Sequence, residues 1–130
     1  MNRGLHNVSP AEAECILLRL LGENCTQFTI DGLRATDKRS FIESVKSVIP
    51  MDPPLAGNNH WDAFSDSLFG GVSELATKQV VIVWRNSNTM AQQSSEDYAI
   101  ALECLDQLCN DVGDPKISCE PAKDVFVLLA

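Results

Sequence analysis

Gln79-Val80-Val81-Ile82-Val83-Trp84-Arg85 is the stretch whose reading decides the fold. Apolar residues follow one another from Val80 to Trp84 with no polar alternation. A strand with one wet face would alternate; an unbroken run predicts a central strand covered on both faces. Sheets enclosed in that way are built from parallel strands joined through helices. Trp84 is expected to pack at the end of the strand, with Arg85 emerging at the sheet edge.

The flanking segments supply those helices. Downstream, Arg85 to Ser95 is polar and irregular, with room for one helical turn. Glu96 to Asn110 predicts a strong helix, capped by Ser94 or Ser95 and helped by Asp97 in its first turn. Its buried stripe is Tyr98, Ala101, Leu102, Leu105 and Leu108 or Cys109. Gly113-Asp114-Pro115 is a turn, Lys116 to Lys123 a loop, and Asp124 to Leu129 a last buried strand. Upstream, about Asn59 to Phe69 predicts a helix ended by Gly70-Gly71, with a further turn over Val72 to Ala76. Pro50, Pro53 and Pro54 stiffen the loop before it. Asp37 caps a helix through Val48, with Phe41, Val45 and Val48 on one face. Thr26 to Ile30 alternates as a strand, and Asp31-Gly32 turns the chain. Ser9-Pro10-Ala11-Glu12 opens a helix by cap, first-turn proline and capping box, and Gly22 stops it after Leu21. The order helix, strand, helix, helix, strand, helix, strand predicts an α/β fold: a small three-stranded parallel sheet packed with helices through right-handed crossovers.

Size and charge bound the function. The chain has 130 residues, 45% of them hydrophobic, enough for one domain with an aliphatic core. Eighteen acids oppose ten bases, a net charge of −8. No Lys or Arg occurs from Ser47 to Thr77, nor from Asn86 to Pro115. Such a surface repels nucleic acid and attracts a basic protein. The five cysteines form no C-x-x-C, and the two histidines lie far apart, so no zinc signature exists and reduced thiols are expected. The run Cys15 to Leu21 is too short and too charged at its flanks for a signal peptide, and no segment is apolar enough to span a membrane. A cytoplasmic protein with no cofactor, no metal, no nucleic acid and no membrane partner is expected.

Within Gly57-Asn-Asn-His-Trp-Asp-Ala-Phe-Ser-Asp-Ser-Leu-Phe-Gly70, Asn59, Asp62, Asp66 and Phe69 share one helical side, while Trp61, Phe64 and Leu68 share another. The second side enters a core; the first faces outward. Like charges at i,i+4 disfavour a helix by roughly 0.2–0.5 kcal/mol, and nothing basic in the local sequence offsets Asp62 and Asp66. If Asn59 is the N-cap, Asp62 sits at N3, where a carboxylate suits the helix end. Asp66 lies a turn later and has no such role. Catalysis by the pair is disfavoured, since their spacing is common on solvated helices and no enclosure splits their acidities. A metal site is disfavoured too, because His60 points roughly 160° away from Asp62 on a regular helix. Cys104 and Cys109 fall in a core stripe, and no phosphate loop or nucleophile elbow is present. No catalytic residue is assigned, and the chain is expected not to be an enzyme.

These residues resemble the barstar family of small intracellular ribonuclease inhibitors. The resemblance is carried in order by Phe28-Thr-Ile-Asp-Gly32, the helix with Phe41 and Val45, Trp61-Asp62-Ala63-Phe64-x-Asp66-x-Leu68, the strand ending Val83-Trp84-Arg85, and Val125-Phe-Val-Leu-Leu129. It covers about residues 26–130, leaving residues 1–25 as an N-terminal helical extension that could cover a sheet edge, extend an interface or support dimerisation. It implies a three-stranded parallel sheet with helices. It further implies that the acidic helix and the loop before it plug the active site of a basic toxin or ribonuclease domain, one to one. Asp62 and Asp66 match the family's two aspartates, and Gly57 to His60 match the loop before them, with one residue added. Leu55 and Ala56 stand where the family has a tyrosine, Ser65 replaces its interface tryptophan, and Gln107 replaces an acidic contact, with Asp106 adjacent and Asp111 a turn later. The partner-binding set implied is Asn58, Asn59, His60, Asp62, Ser65, Asp66, Phe69, Asp106 and Gln107. The departures leave open an immunity protein for a toxin that is not a ribonuclease.

Overall fold

A computed structural model describes residues 2–117 and 122–130. The expected loop from Lys116 to Lys123 falls partly outside them, as does Cys119. The elements are β1 (Gly4–Asn7), α1 (Pro10–Leu20), β2 (Cys25–Asp31), α2 (Lys38–Val48), α3 (Trp61–Ser73), β3 (Gln79–Arg85), α4 (Asn88–Gln93), α5 (Ser95–Val112) and β4 (Asp124–Leu129). All strand pairings are parallel, in the order β1-β4-β3-β2. The fold class is therefore α/β with a parallel sheet, but the sheet has four strands rather than three.

The additional strand, Gly-Leu-His-Asn, is four residues long and carries no apolar alternation of its own. It forms because β4 offers an open edge, on which Gly4 to Asn7 lie beside Phe126 to Leu129. Arg3 fastens it, donating from Nη1 to the Gly113 carbonyl at 2.6 Å, and Leu5 packs into the core. Its cause is tertiary pairing, which local pattern does not display.

The unbroken run of β3 is explained by what lies on each side. Val80, Ile82 and Trp84 face a core shared with Phe41, Ile42 and Val45 of α2, Phe64 and Leu68 of α3, and Leu105 and Cys109 of α5. Val81 and Val83 face the other way, where Ala13, Ile16, Leu17 and Leu20 of α1 cover them together with Phe126 and Leu128. Val80 to Trp84 are all fully buried. Burying each such aliphatic side chain contributes about 1.5–3 kcal/mol, so both faces need a helix. Arg85 emerges at the strand end and pairs with Glu14 of α1.

The caps of α1 and α2 follow the sequence. Ser9 and Glu12 form the capping box of α1. Asp37 caps α2 by accepting from the Ser40 N–H at 2.9 Å. Ser94 occupies the N-cap of α5 without a side-chain capping bond.

Gly70-Gly71 does not end α3, which continues to Ser73. The loop before the helix lies directly against it. A Cβ on Gly70 would overlap the Asp52 carbonyl oxygen, and one on Gly71 the Pro50 carbonyl oxygen. The glycines are where a loop backbone touches a helix backbone.

Candidate functional site

The acidic helix is anchored through its apolar side. Phe64 and Leu68 are fully buried. Trp61 packs on Phe41 and Phe64, each at a ring-centroid distance of 6.0 Å, and Phe41 in turn meets Trp84 at 4.8 Å. This aromatic chain ties the first turn of α3 to the end of β3. It also sets the helix start one residue later than expected. His60 is the N-cap, with no side-chain capping bond, and its carbonyl accepts the first helical bond from Phe64 at 3.1 Å. Asp62 therefore occupies N2 rather than N3. It remains in the first turn, where a carboxylate contributes roughly 0.3–1 kcal/mol. Asn59 lies outside the helix.

The loop ahead of α3 is held at two points. The Asp52 N–H donates to the Ser67 carbonyl at 2.9 Å, and Lys46 Nζ donates to the Gly57 carbonyl at 3.3 Å. Lys46 pairs with Glu43, not with the aspartates. Asn59 and His60 are exposed at the end of this loop and Asn58 is half-buried.

Asp62 and Asp66 are exposed, and neither has an ion pair or hydrogen bond among the described residues. The packing of α3 on α5 gathers Ser65, Asp66 and Phe69 from one helix with Cys104, Gln107, Leu108 and Asp111 from the other. Together with Ile117 they line a groove of about 300 Å³. Gln107 Nε2 donates to Asp111 Oδ1 at 2.7 Å, so two polar groups of α5 form one fixed unit facing Asp66 across the groove. Ser65 leaves the half-buried Cys104 accessible in its wall. Burial pushes the Cys104 thiol up, against the Ser65 hydrogen bond that lowers it; the nearby charges of Glu103 and Asp62 add to the rise.

Four of the expected contact residues, Ser65, Asp66, Phe69 and Gln107, thus share one groove. Asp62, one turn earlier on α3, and the loop Asn58 to His60 before the helix are not among the residues that line it. Asp106 does not join them. It projects from another side of α5, accepts from Asn110 at 3.5 Å and adds its charge to the environment of buried Cys109. Asp111 and Ile117 line the groove as well but lie outside the partner-binding set that the resemblance implies. The i,i+4 spacing signals Asp111, since it puts that residue on the Gln107 face. Ile117 lies past the helix and gives no such signal. Among the described residues no three His, Cys, Asp or Glu side chains converge as metal ligands, and no helix is long and apolar enough to cross a membrane.

A family profile described as Barstar (barnase inhibitor) matches residues 25–122. The chain belongs to the barstar family. The match opens at the first residue of β2 and takes in α2, α3, β3 and α5, so both walls of the groove lie inside the barstar region. The strand β1 and helix α1 precede it. No curated protein and no solved structure shows a significant match.

Proposed function

We propose that this chain is an intracellular inhibitor that binds a basic toxin, a ribonuclease by preference of the family, one to one. Its α3 and the loop before it would occupy the toxin's active site. Asp66 is the central contact, flanked by Asp62, Phe69 and the Gln107–Asp111 unit, with Asn58, Asn59 and His60 meeting the rim. The observation that carries this reading is Asp66: an exposed carboxylate without an ionic partner among the described residues, held on a rigid helix at the edge of a groove. Such a charge steers a basic partner at long range and substitutes for a substrate phosphate at short range.

The test is inhibition of, and affinity for, the cognate toxin. Asp66→Ala removes one partner of a charge pair that becomes buried in the complex, which costs about 3–5 kcal/mol. Asp62→Ala is expected to cost less and to flatten the salt dependence of association. Unchanged affinity and unchanged salt response in both variants would place the interface elsewhere. A second reading has its own observation: Ser65 stands where the resemblance places a tryptophan, leaving groove volume that a different target could fill. Under that reading the protein binds its toxin through the same residues and gives no relief of RNA degradation.

A further inference from the structure

The outer side of α1 is apolar and carries opposite charges along one flank. Ala13, Ile16, Leu17 and Leu20 point into the sheet. At 100° per residue, Ala11, Cys15 and Leu18 lie about 180° away from them. Leu18 is 69% exposed and Leu21, just past the helix, 70%. Glu12 and Arg19 run along the flank and, with Ala11, Cys15 and Ile16, line a shallow depression of about 450 Å³. Arg19 has no ion pair among the described residues.

This pattern is complementary to itself when turned end for end. Two α1 helices laid antiparallel, with Cys15 of one copy level with Leu18 of the other, place Ala11 opposite Gly22 at either end. The small residues Ala11 and Cys15 permit close approach, at the short end of the roughly 8–10 Å range for helix pairs. Arg19 of each copy then stands two residues, about 3 Å along the axis, from the level of Glu12 of the other, within reach of its long side chain, and the dyad makes the ion pair twice. Glu14 stays outside the exchange, because it pairs with Arg85 of its own chain.

We propose that α1 is the contact of a symmetric, antiparallel homodimer of this chain. Charge complementarity favours a second copy over a basic toxin, which would find an apolar stripe and an arginine here. The two grooves between α3 and α5 lie on the other face of each sheet, so the dimer keeps both open and binds one toxin per chain. An 11-residue helix is about 16 Å long at 1.5 Å per residue. Two of them bury less than the ~1,600 Å² of a standard stable interface. The dimer is accordingly weak, forming over roughly 10 µM to 1 mM.

Sedimentation equilibrium of the full chain across that range tests this. The mass average is expected to rise from the 14.2 kDa of one chain towards twice that value. Leu18→Asp is expected to abolish the rise. Arg19→Glu and Glu12→Arg, each alone, are expected to weaken self-association about tenfold or more. Mixed together, they are expected to pair with each other, because every flank contact is then between opposite charges. Unchanged circular dichroism shows that each variant folds. A chain that stays monomeric at 1 mM, a dimer that survives Leu18→Asp, or charge variants that fail to pair when mixed would each overturn the proposal. So would a monomer whose Leu18→Asp variant loses toxin binding, which would assign the face to the toxin.

Discussion

Replacing Gly71 by alanine sets helix propensity directly against packing. In the interior of a helix the exchange ordinarily stabilises by about 1 kcal/mol. If Gly70-Gly71 served only to weaken or stop α3, Gly71→Ala would show that gain. The structure requires the opposite sign. The new Cβ would overlap the Pro50 carbonyl oxygen, with the Pro50 carbonyl carbon at 2.5 Å and Met51 Cα at 3.1 Å, all backbone atoms without a rotamer to yield. The loop must back away. Doing so loosens the Asp52 N–H bond to Ser67, worth about 1 kcal/mol net, and lifts Met51 and Ile49 from the core. Overpacking a close-packed contact costs about 1–3 kcal/mol. After the propensity gain, the net loss is about 1–3 kcal/mol. For a chain of this size that lowers the melting temperature by roughly 4 °C per kcal/mol. Urea denaturation with a matched thermal scan reads both. Gly57→Ala is the control: no atom lies within 4 Å of its Cβ, and a change within about 0.5 kcal/mol is expected. A Gly71→Ala protein as stable as the parent, or more so, would refute the backbone contact and the positioning of the loop that depends on it.

Asp37 and the buried thiols give pH-dependent outcomes. Hydrogen bonds from the Ser40 side chain and backbone hold the Asp37 carboxyl below the ordinary range. Its stabilisation is present above the unfolded-state value near 4 and is lost as pH falls through the lower folded-state value. Asp37→Ala is expected to cost about 1 kcal/mol at pH 7, whereas Asp37→Asn keeps a cap and removes this part of the acid loss; denaturation midpoints between pH 5 and pH 2 decide. Burial, then the Asp106 charge, pushes the Cys109 thiol up to about 12. At pH 8 only about one Cys109 in ten thousand is thiolate, the reactive form, so iodoacetamide is expected to label exposed Cys15 first and Cys109 only on unfolding. Early labelling of Cys109 in the folded protein would refute its burial. Because the folded value is the higher one, the same group supports the fold fully below about 9 and loses that support as pH rises towards 12.

What the sequence discloses depends on whether the cause is local. The capping box at Ser9, the cap at Asp37, the stripe of α5 and the doubly covered run of β3 are statements about neighbouring residues, and each is legible. The strand Gly4–Asn7 is not, because its cause is the free edge of β4, more than a hundred residues away. Gly70-Gly71 reads as a helix stop for a related reason. A glycine pair that breaks a helix and one that admits a neighbouring backbone look the same until Pro50 and Asp52 are in place. The site divides in the same manner. Asp62 and Asp66 stand out by spacing alone, but the groove that joins Asp66 to Gln107 and Asp111 exists only where α3 meets α5.

The two faces of the sheet make opposite demands on the helices that cover them. On the face shared by α2, α3 and α5, the helices also pack on one another, and α3 uses its whole apolar side inward. Its outer side is left to charge, and the aromatic chain from Trp61 through Phe41 to Trp84 keeps that charge from moving with the loop. On the other face α1 lies over Val81, Val83, Phe126 and Leu128, and it alone supplies the helical side chains of that apolar cluster. A lone helix of that kind could end in a fully polar outer side, as most surface helices do. Leu18 and Leu21 depart from that rule while Glu12 and Arg19 keep to it. Burial within one chain accounts for Ala13, Ile16, Leu17 and Leu20 but not for Leu18, whose side chain gains nothing unless a second surface meets it.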